Sequence, residues 1–322
     1  MFKYSLFALI IGFIADLILG DPRGIPHPVI LIGKEISALE KGLRYIFPKS
    51  PAGERLAGIL LWLLVIVSAA FIPLFLLMLC YRHSVWLGLA LESIMSWQIL
   101  AVKSLKKESM RVYQEIKNGN IEASRHALSM IVGRDTDNLD NSAIIRGAVE
   151  TISENTSDGA VAPLIFLAVG GAPLGFFYKA VNTMDSMLGY MDMPYTNIGF
   201  FAAKADDVIN YIPSRISAAI MLLSGAILGM DIKNGFKIFL RDRYNHPSPN
   251  SAQTESVCAG LLGIQLGGAS YYHGILHNKQ HIGDSLREVQ SEDIPLANRL
   301  LYLTAVISLL LCTLFKLLFI FM

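Results

Sequence analysis

The chain has 322 residues, of which 53% are hydrophobic and only 16% charged, with a net charge of +1. Soluble domains carry roughly a quarter charged residues, so this composition, with a mean hydropathy of +0.48, is that of a membrane protein. The near-neutral balance leaves no basic field for nucleic acid. Three scattered cysteines, Cys80, Cys258 and Cys312, form no CxxC or zinc spacing, which speaks against redox chemistry.

Met1 to Leu19 has Lys3 and an apolar middle, but Asp16 interrupts it and no Ala-x-Ala site follows. It reads as a retained first membrane helix rather than a cleaved signal. Leu56 to Cys80 is a long apolar run, and about 20 such residues cross the hydrocarbon core. The polar turn Tyr81-Arg82-His83 leads into a second run, Ser84 to Ala101, carrying one acid, Glu92. Leu105, Val112 and Ile116 then share one face of a helix that stops at Asn118-Gly119-Asn120. A second helix is predicted over Ile121 to Val132, ended by Gly133, and a third over Asn141 to Ile152.

Gly159 to Val181 is apolar but broken by Gly170, Gly171, Pro173 and Gly175, which predicts a kinked or re-entrant segment. Val208 to Met230, with Pro213 and Arg215 in its first turns, and Leu300 to Met322 are further spans. Ser256 to Tyr272 is short and Gly-rich, the weakest span of the set, and no strand pattern stands out. The expected fold is an all-α polytopic integral membrane protein with about five to six membrane segments, one of them kinked or re-entrant. It forms one domain over 1–322, and 102–158 is a helical cytoplasmic segment within it. Basic residues gather in 21–55, 102–158 and 231–299, while Arg82 and Lys204 stand nearly alone elsewhere. If 256–272 does not cross, the positive-inside rule places all three segments in the cytoplasm.

Polar clusters flank the apolar runs, and ionisable groups are kept beside lipid when they are paired or used. The first holds Asp16, Asp21 and His27, the last fixed between Pro26 and Pro28. The second is Gly133-Arg134-Asp135-Thr136, where the guanidinium suits a phosphate or carboxylate, or a local pair with Asp135. The third runs from Glu150 through Glu154, Asn155 and Asp158, then resumes at Lys179, Asn182, Thr183 and Asp185. The fourth is Lys204, Asp206, Asp207, Asn210 and Arg215, with adjacent aspartates at a helix start that suit capping or Mg²⁺. The fifth runs from Arg241-Asp242 through Asn245-His246-Pro247-Ser248-Pro249-Asn250 to Glu255; a helix cap accounts for Asn250 but not for His246. His273, His277 and His281 recur every fourth residue, a metal-binding face if helical, although Gly274 and Gly283 oppose a helix there. No P-loop or Rossmann signature occurs.

In order, Gly20-Asp21-Pro22, Pro26-His27-Pro28-Val29, Gly133 to Thr136, Glu154 to Gly159 with Pro163-Leu164, and Tyr178 to Met187 form a recognisable series. With Asp206 to Asn210, Pro213, Arg215 and His246 to Ser251 added, the chain resembles the CobD/CbiB family of cobalamin biosynthesis, the adenosylcobinamide-phosphate synthases. After Ser251 it departs, reading Ala252-Gln-Thr-Glu255-Ser-Val-Cys-Ala-Gly260 and lacking the family's Gly and Pro. The resemblance implies ATP-dependent joining of adenosylcobyric acid to 1-amino-2-propanol O-phosphate, giving adenosylcobinamide phosphate. It also implies a multi-pass enzyme of the inner (cytoplasmic) membrane with its site facing the cytoplasm. Expected partners are the bilayer, the two substrates and other membrane enzymes of late cobalamin assembly.

Residue chemistry suggests roles. Asp158, Asp185, Asp206 and Asp207 suit Mg²⁺, while Arg134, Lys179, Lys204 and Arg215 suit phosphates. Asp135, Glu154, Asn155, Asn182 and Asn250 are expected to complete the nucleotide contacts. His27 or His246 is expected to take the amine proton, with Asp158, Lys179 and Asp185 also catalytic. Two other readings exist. Asn182-Thr-Met-Asp185 with Asp206-Asp207 suggests a Mg²⁺-dependent intramembrane prenyltransferase, though the N-D-x-x-D pattern is missing. Glu92, Arg215 and the broken helix could instead line a transport path, though no inverted repeat is visible.

Overall fold

The computed structural model describes residues 2–22, 24, 27–189, 194–272 and 274–321. In chain order the first helices are α1 (Phe2–Leu19), α2 (Pro28–Ile46), α3 (Pro51–His83), α4 (Val85–Ile99), α5 (Val102–Lys117) and α6 (Ile121–Ser129). Next, α7 (Asn141–Asn155) passes through a π-helical turn, Thr156–Val161, into α8 (Ala162–Leu188). There follow α9 (Phe200–Ile209), α10 (Tyr211–Ile227), α11 (Ile232–Asp242) and α12 (Ser251–Leu262). A hairpin of β1 (Leu266–Tyr272) and β2 (Ile275–Ile282) precedes α13 (Asp293–Phe321).

The all-α polytopic class holds. Among the described residues, Pro51–His83, Val85–Lys117, Asn141–Leu188 and Asp293–Ile320 are long and apolar enough to cross a membrane, and the bent pair α9–α10 makes five if counted as one span. The first helix, also expected as a span, is 18 residues long, about 27 Å, close to the thickness of a hydrocarbon core. Ser256 to Tyr272 is not a span. It divides between α12, in which every residue is buried, and β1, which removes the crossing that would have split the basic segment 231–299.

The chain forms two compact units: residues 1–100, 162–210 and 311–322, and residues 101–161 and 211–310. In the first unit α1 packs on α4 and α3 on both α4 and α8. A Cβ added at Gly12 of α1 would stand 2.6 Å from the Ser96 Cβ of α4, a small-residue contact that lets two backbones close. Trp97 seals the end of this contact by donating Nε1–H to the Gly20 carbonyl at 2.9 Å. The expected kink is present in α8, where Gly171 takes φ 65° and Gly170 also leaves helical geometry. Gly171 is required twice over, because a Cβ there would also meet Glu92 Oε1 at 2.6 Å.

In the second unit α10 and α11 pack on α12, and α5 packs on α6 and α7. The Asn118-Gly119-Asn120 stop operates as expected: α5 ends at Lys117, and Gly119 takes φ 72°. Asn120 then caps α6 at the Ala123 amide, 3.1 Å, and Asp140 caps α7 at the Ala143 amide, 2.7 Å. The second predicted helix ends early, at Ser129 rather than Val132.

The hairpin corrects the expectation of no strand. Its register pairs Leu266 with Ile282 and Tyr272 with Ile275, around a bulge at Gly267 to Ala269. Asp242, the last residue of α11, accepts from the Gly283 amide at 2.7 Å and from Arg241 at 2.7 and 2.8 Å, which ties α11 to the chain just beyond β2.

Candidate functional site

The richest polar cluster of the second unit is built on α7. Glu150 and Glu154 lie four residues apart and so share a helical face. Glu150 is 5% exposed. It pairs with Arg134 and accepts from the Gly267 amide at 2.7 Å, which anchors β1 to α7. Arg134 also reaches Ser270 Oγ at 3.4 Å. The local Arg134–Asp135 pair suggested by the sequence does not form. Asp135 instead accepts from the Gly274 amide at 2.7 Å, and its own amide donates to the Tyr271 carbonyl at 2.9 Å. Both residues therefore clasp the hairpin.

Glu154 accepts from Ser251 Oγ at 2.7 Å, which joins α7 to the start of α12. One turn along α12 lies Glu255, 4% exposed. Burial raises its pKa well above the ordinary carboxylate value, and the charges of Glu154 and Glu150 raise it further, against Lys279 and Arg134. The sequence places Glu150 and Glu255 in polar clusters but assigns neither a role, nor one to Lys279, which donates to Tyr272 Oη at 2.9 Å. The four-residue spacing of Glu150 and Glu154 was the available signal.

A raised carboxyl pKa has a definite sign. Above its ordinary value of 4.5, folded Glu255 keeps a proton that the unfolded chain has released. Stability then falls as pH rises through that window, by up to about 1.4 kcal/mol per pH unit for one proton. Glu255→Gln, a neutral mimic of the protonated acid, is expected to flatten this slope. Thermal unfolding between about pH 5 and 8 measures it, and a variant with the wild-type slope would contradict the assignment.

His246 and His27 turn out to be used alike. Each precedes a proline, which has no N–H, so the next amide along is the first donor available. His246 Nδ1 accepts from the Ser248 amide at 3.1 Å, and His27 Nδ1 from the Val29 amide at 3.3 Å. A neutral ring held this way carries its proton on Nε2 and offers a donor there. For His246, burial pulls the pKa down, aided by Lys279 and opposed by Glu154 and Glu150. His27 Nε2 stands 3.4 Å from Asp21. In each ring a backbone amide takes Nδ1, which leaves Nε2 as the other nitrogen.

Asn250 does not cap α12 through its side chain. Its Oδ1 instead accepts from Ser214 Oγ and from Arg215 Nη1, both at 3.2 Å. The Arg215 guanidinium lies over the Tyr211 ring, 3.5 Å from its centroid. A tertiary demand outbids the local cap and leaves a fixed, half-buried guanidinium. Asn155 Nδ2 donates to the Thr151 carbonyl at 2.9 Å, just before the π turn that carries half-buried Asp158; such turns recur at functional sites.

The first unit holds the other candidates. Lys179, Asn182 and Asp185 follow at three-residue intervals along one side of α8, all half-buried. Asp206 and Asp207 sit in the last turn of α9, not at a helix start as expected. Tyr178 Oη donates to Asn210 Oδ1 at 3.0 Å, and Asn210 Nδ2 donates to both Asp206 oxygens at 3.0 Å, a chain that links α8 to α9. Lys204 pairs with Asp207 at 3.0 Å. His27 opens α2, which packs on α8.

Among the described residues, no three His, Cys, Asp or Glu side chains are placed to hold a metal. Mg²⁺ beside phosphates usually rests on only one or two carboxylates, a demand that a single aspartate here can meet. The proposed histidine face on a helix does not exist. His277 and His281 lie on β2, and His273 falls outside the described residues.

The family described as CobD/Cbib protein matches residues 9–301, a range that holds every candidate residue above. "Cobalamin biosynthesis protein CobD" of Clostridium perfringens is 46% identical over 293 residues, covering 91% of this chain and 92% of the relative. The protein of the same description from Pelobacter propionicus is 45% identical over 305 residues, covering 94% and 93%. "Cobalamin biosynthesis protein CbiB" of Salmonella paratyphi B is 40% identical over 305 residues, covering 95% of each chain. No solved structure matches the chain. On a match that runs through both units and takes in each polar cluster, the chain belongs to the CobD/CbiB family.

Proposed function

We propose that this protein acts in cobalamin biosynthesis as an ATP-dependent ligase, joining adenosylcobyric acid to 1-amino-2-propanol O-phosphate to give adenosylcobinamide phosphate. The observation that carries the reading is the family match across residues 9–301, with relatives named for cobalamin biosynthesis. The same match favours a ligase over the prenyltransferase and transporter readings. Its place is the inner membrane, with the site toward the cytoplasm, where ATP is available.

A carboxylate is a poor electrophile at neutral pH, so it must first be activated. One carboxylate oxygen attacks the γ-phosphorus of ATP, ADP leaves, and an acyl phosphate results. The amine nitrogen attacks the acyl carbon, the C–O bond to phosphate breaks, and the nitrogen gives up a proton. Such chemistry rests on positioning and on neutralising oxygen charge. Mg²⁺, bound with the nucleotide, would supply much of that neutralisation, and one or two of Asp158, Asp185, Asp206 and Asp207 would hold it.

Arg215, set by Asn250 and Tyr211, offers a rigid fork for phosphate oxygens; Lys179 and Lys204 are further cations for the same task. Arg134 acts indirectly by holding Glu150. Glu154, beside Ser251, accepts the amine proton. His246 serves as a donor through Nε2–H. Asp135, Asn155, Asn182 and Asn250 shape these surroundings, and His27 orients the start of α2. The test is direct: purified protein given adenosylcobyric acid, aminopropanol phosphate, ATP and Mg²⁺ is expected to release ADP and the amide in equal amounts by mass spectrometry. Absence of the amide would refute the reading.

A further inference from the structure

The second unit contains a polar hollow that none of these roles uses. It encloses about 420 Å³, and its lining includes Arg146, Gly267, Gly268, His281, Arg287 and Glu288. Arg146 lies on α7 four residues before Glu150, half-exposed. Neither its guanidinium nor the His281 ring makes a hydrogen bond or ion pair with any described residue. Arg287 is different: it pairs with Asp293, so its charge is matched locally. Glu288 is the one acid of the lining. The opposite wall is backbone. Gly267 and Gly268 take φ 76° and 90° in succession, and the strand ladder steps over Gly268. A Cβ at Gly268 would stand 2.9 Å from His281 Cε1, so the wall stays open only with glycine. Concavities of turned glycine backbone bind anions, and an arginine fork suits phosphate bidentately.

We propose that this hollow is a phosphate-binding subsite, with Arg146 forking onto a phosphate group and His281 and the Gly268 backbone facing it. Its position gives it a use. Gly267 lines the hollow and also donates to Glu150 at 2.7 Å, so a phosphate held there lies across one residue from the buried acids of α7 and α12. What carries the phosphate rests on the ligase reading, in which both the nucleotide and aminopropanol phosphate bear one.

The experiment titrates purified protein in detergent with ATP, 1-amino-2-propanol O-phosphate and inorganic phosphate by calorimetry. Wild type is compared with Arg146→Ala, Arg146→Lys and His281→Ala. Arg146→Ala is expected to weaken at least one phosphate-bearing ligand about tenfold or more. Arg146→Lys should retain part of that affinity, and His281→Ala should weaken the same ligand by less. Loss confined to ATP assigns the subsite to the nucleotide, and loss confined to aminopropanol phosphate assigns it to that substrate. Wild-type affinity for all three probes in Arg146→Ala and His281→Ala would overturn the proposal. Should Arg146→Ala fail to fold, Arg146→Lys and His281→Ala decide the matter. Amide formation is assayed separately. A wild type that makes no amide, while Arg146→Ala still loses phosphate binding, would remove the ligase reading and leave the subsite standing.

Discussion

Glu150→Ala is expected to destabilise the protein by about 3–5 kcal/mol, the range for removing one partner of a buried ion pair. The cost comes mainly from what stays behind. Arg134 would keep its charge in a largely closed environment, 14% exposed, without its ion-pair partner. The Gly267 amide would also lose its acceptor. The hairpin would then come away from α7, and the wall of the phosphate hollow would go with it. Thermal unfolding in detergent measures the loss. The double variant Arg134→Met, Glu150→Leu should be less damaged than Glu150→Ala, because it leaves no unpaired charge. A Glu150→Ala protein as stable as wild type would show that the pair does not anchor the hairpin.

The other large effect is expected in the first unit, at Lys316→Met. Lys316 is fully buried, and its ammonium donates to the Leu167 carbonyl at 3.3 Å. It supplies positive charge to Glu92, which is 2% exposed, accepts from Tyr81 Oη at 2.6 Å and is bonded by the Ala172 amide. Together these groups brace the Gly170–Gly171 break, whose freed backbone groups need partners in an apolar setting. Removing the lysine leaves Glu92 buried beside a hydroxyl and an amide without the charge of Lys316, again at about 3–5 kcal/mol. Adding Glu92→Gln to Lys316→Met should recover part of that loss. Strictly additive effects of the two substitutions would show that the groups are not coupled.

The elements that sequence reasoning placed well are those written in local chemistry. Asn118-Gly119-Asn120 stops a helix because Gly119 alone accepts the left-handed turn at little cost. The glycines of α8 break it where they stand. The hairpin was hidden because Leu266-Gly-Gly-Ala-Ser-Tyr-Tyr272 continues an apolar stretch, and β2 is mostly polar. Gly274, between Tyr271-Tyr272 and Ile275, was the missed turn signal. At the site, the His-Pro pairs and the polar clusters were visible, but their partners were not. Asn250 looked like a cap and serves Ser214 and Arg215. Arg134 looked local to Asp135 and reaches Glu150. Such choices are made by segments far apart in sequence, and no spacing rule encodes them.

The account stands or falls on carboxylate activation. Adenosylcobyric acid carrying ¹⁸O in both oxygens of its reacting carboxylate should be converted in the presence of ATP, Mg²⁺ and aminopropanol phosphate, and the released inorganic phosphate weighed by mass spectrometry. Passage through an acyl phosphate moves one labelled oxygen into each phosphate and leaves the other in the amide. Phosphate released without label while the amide accumulates would contradict that route.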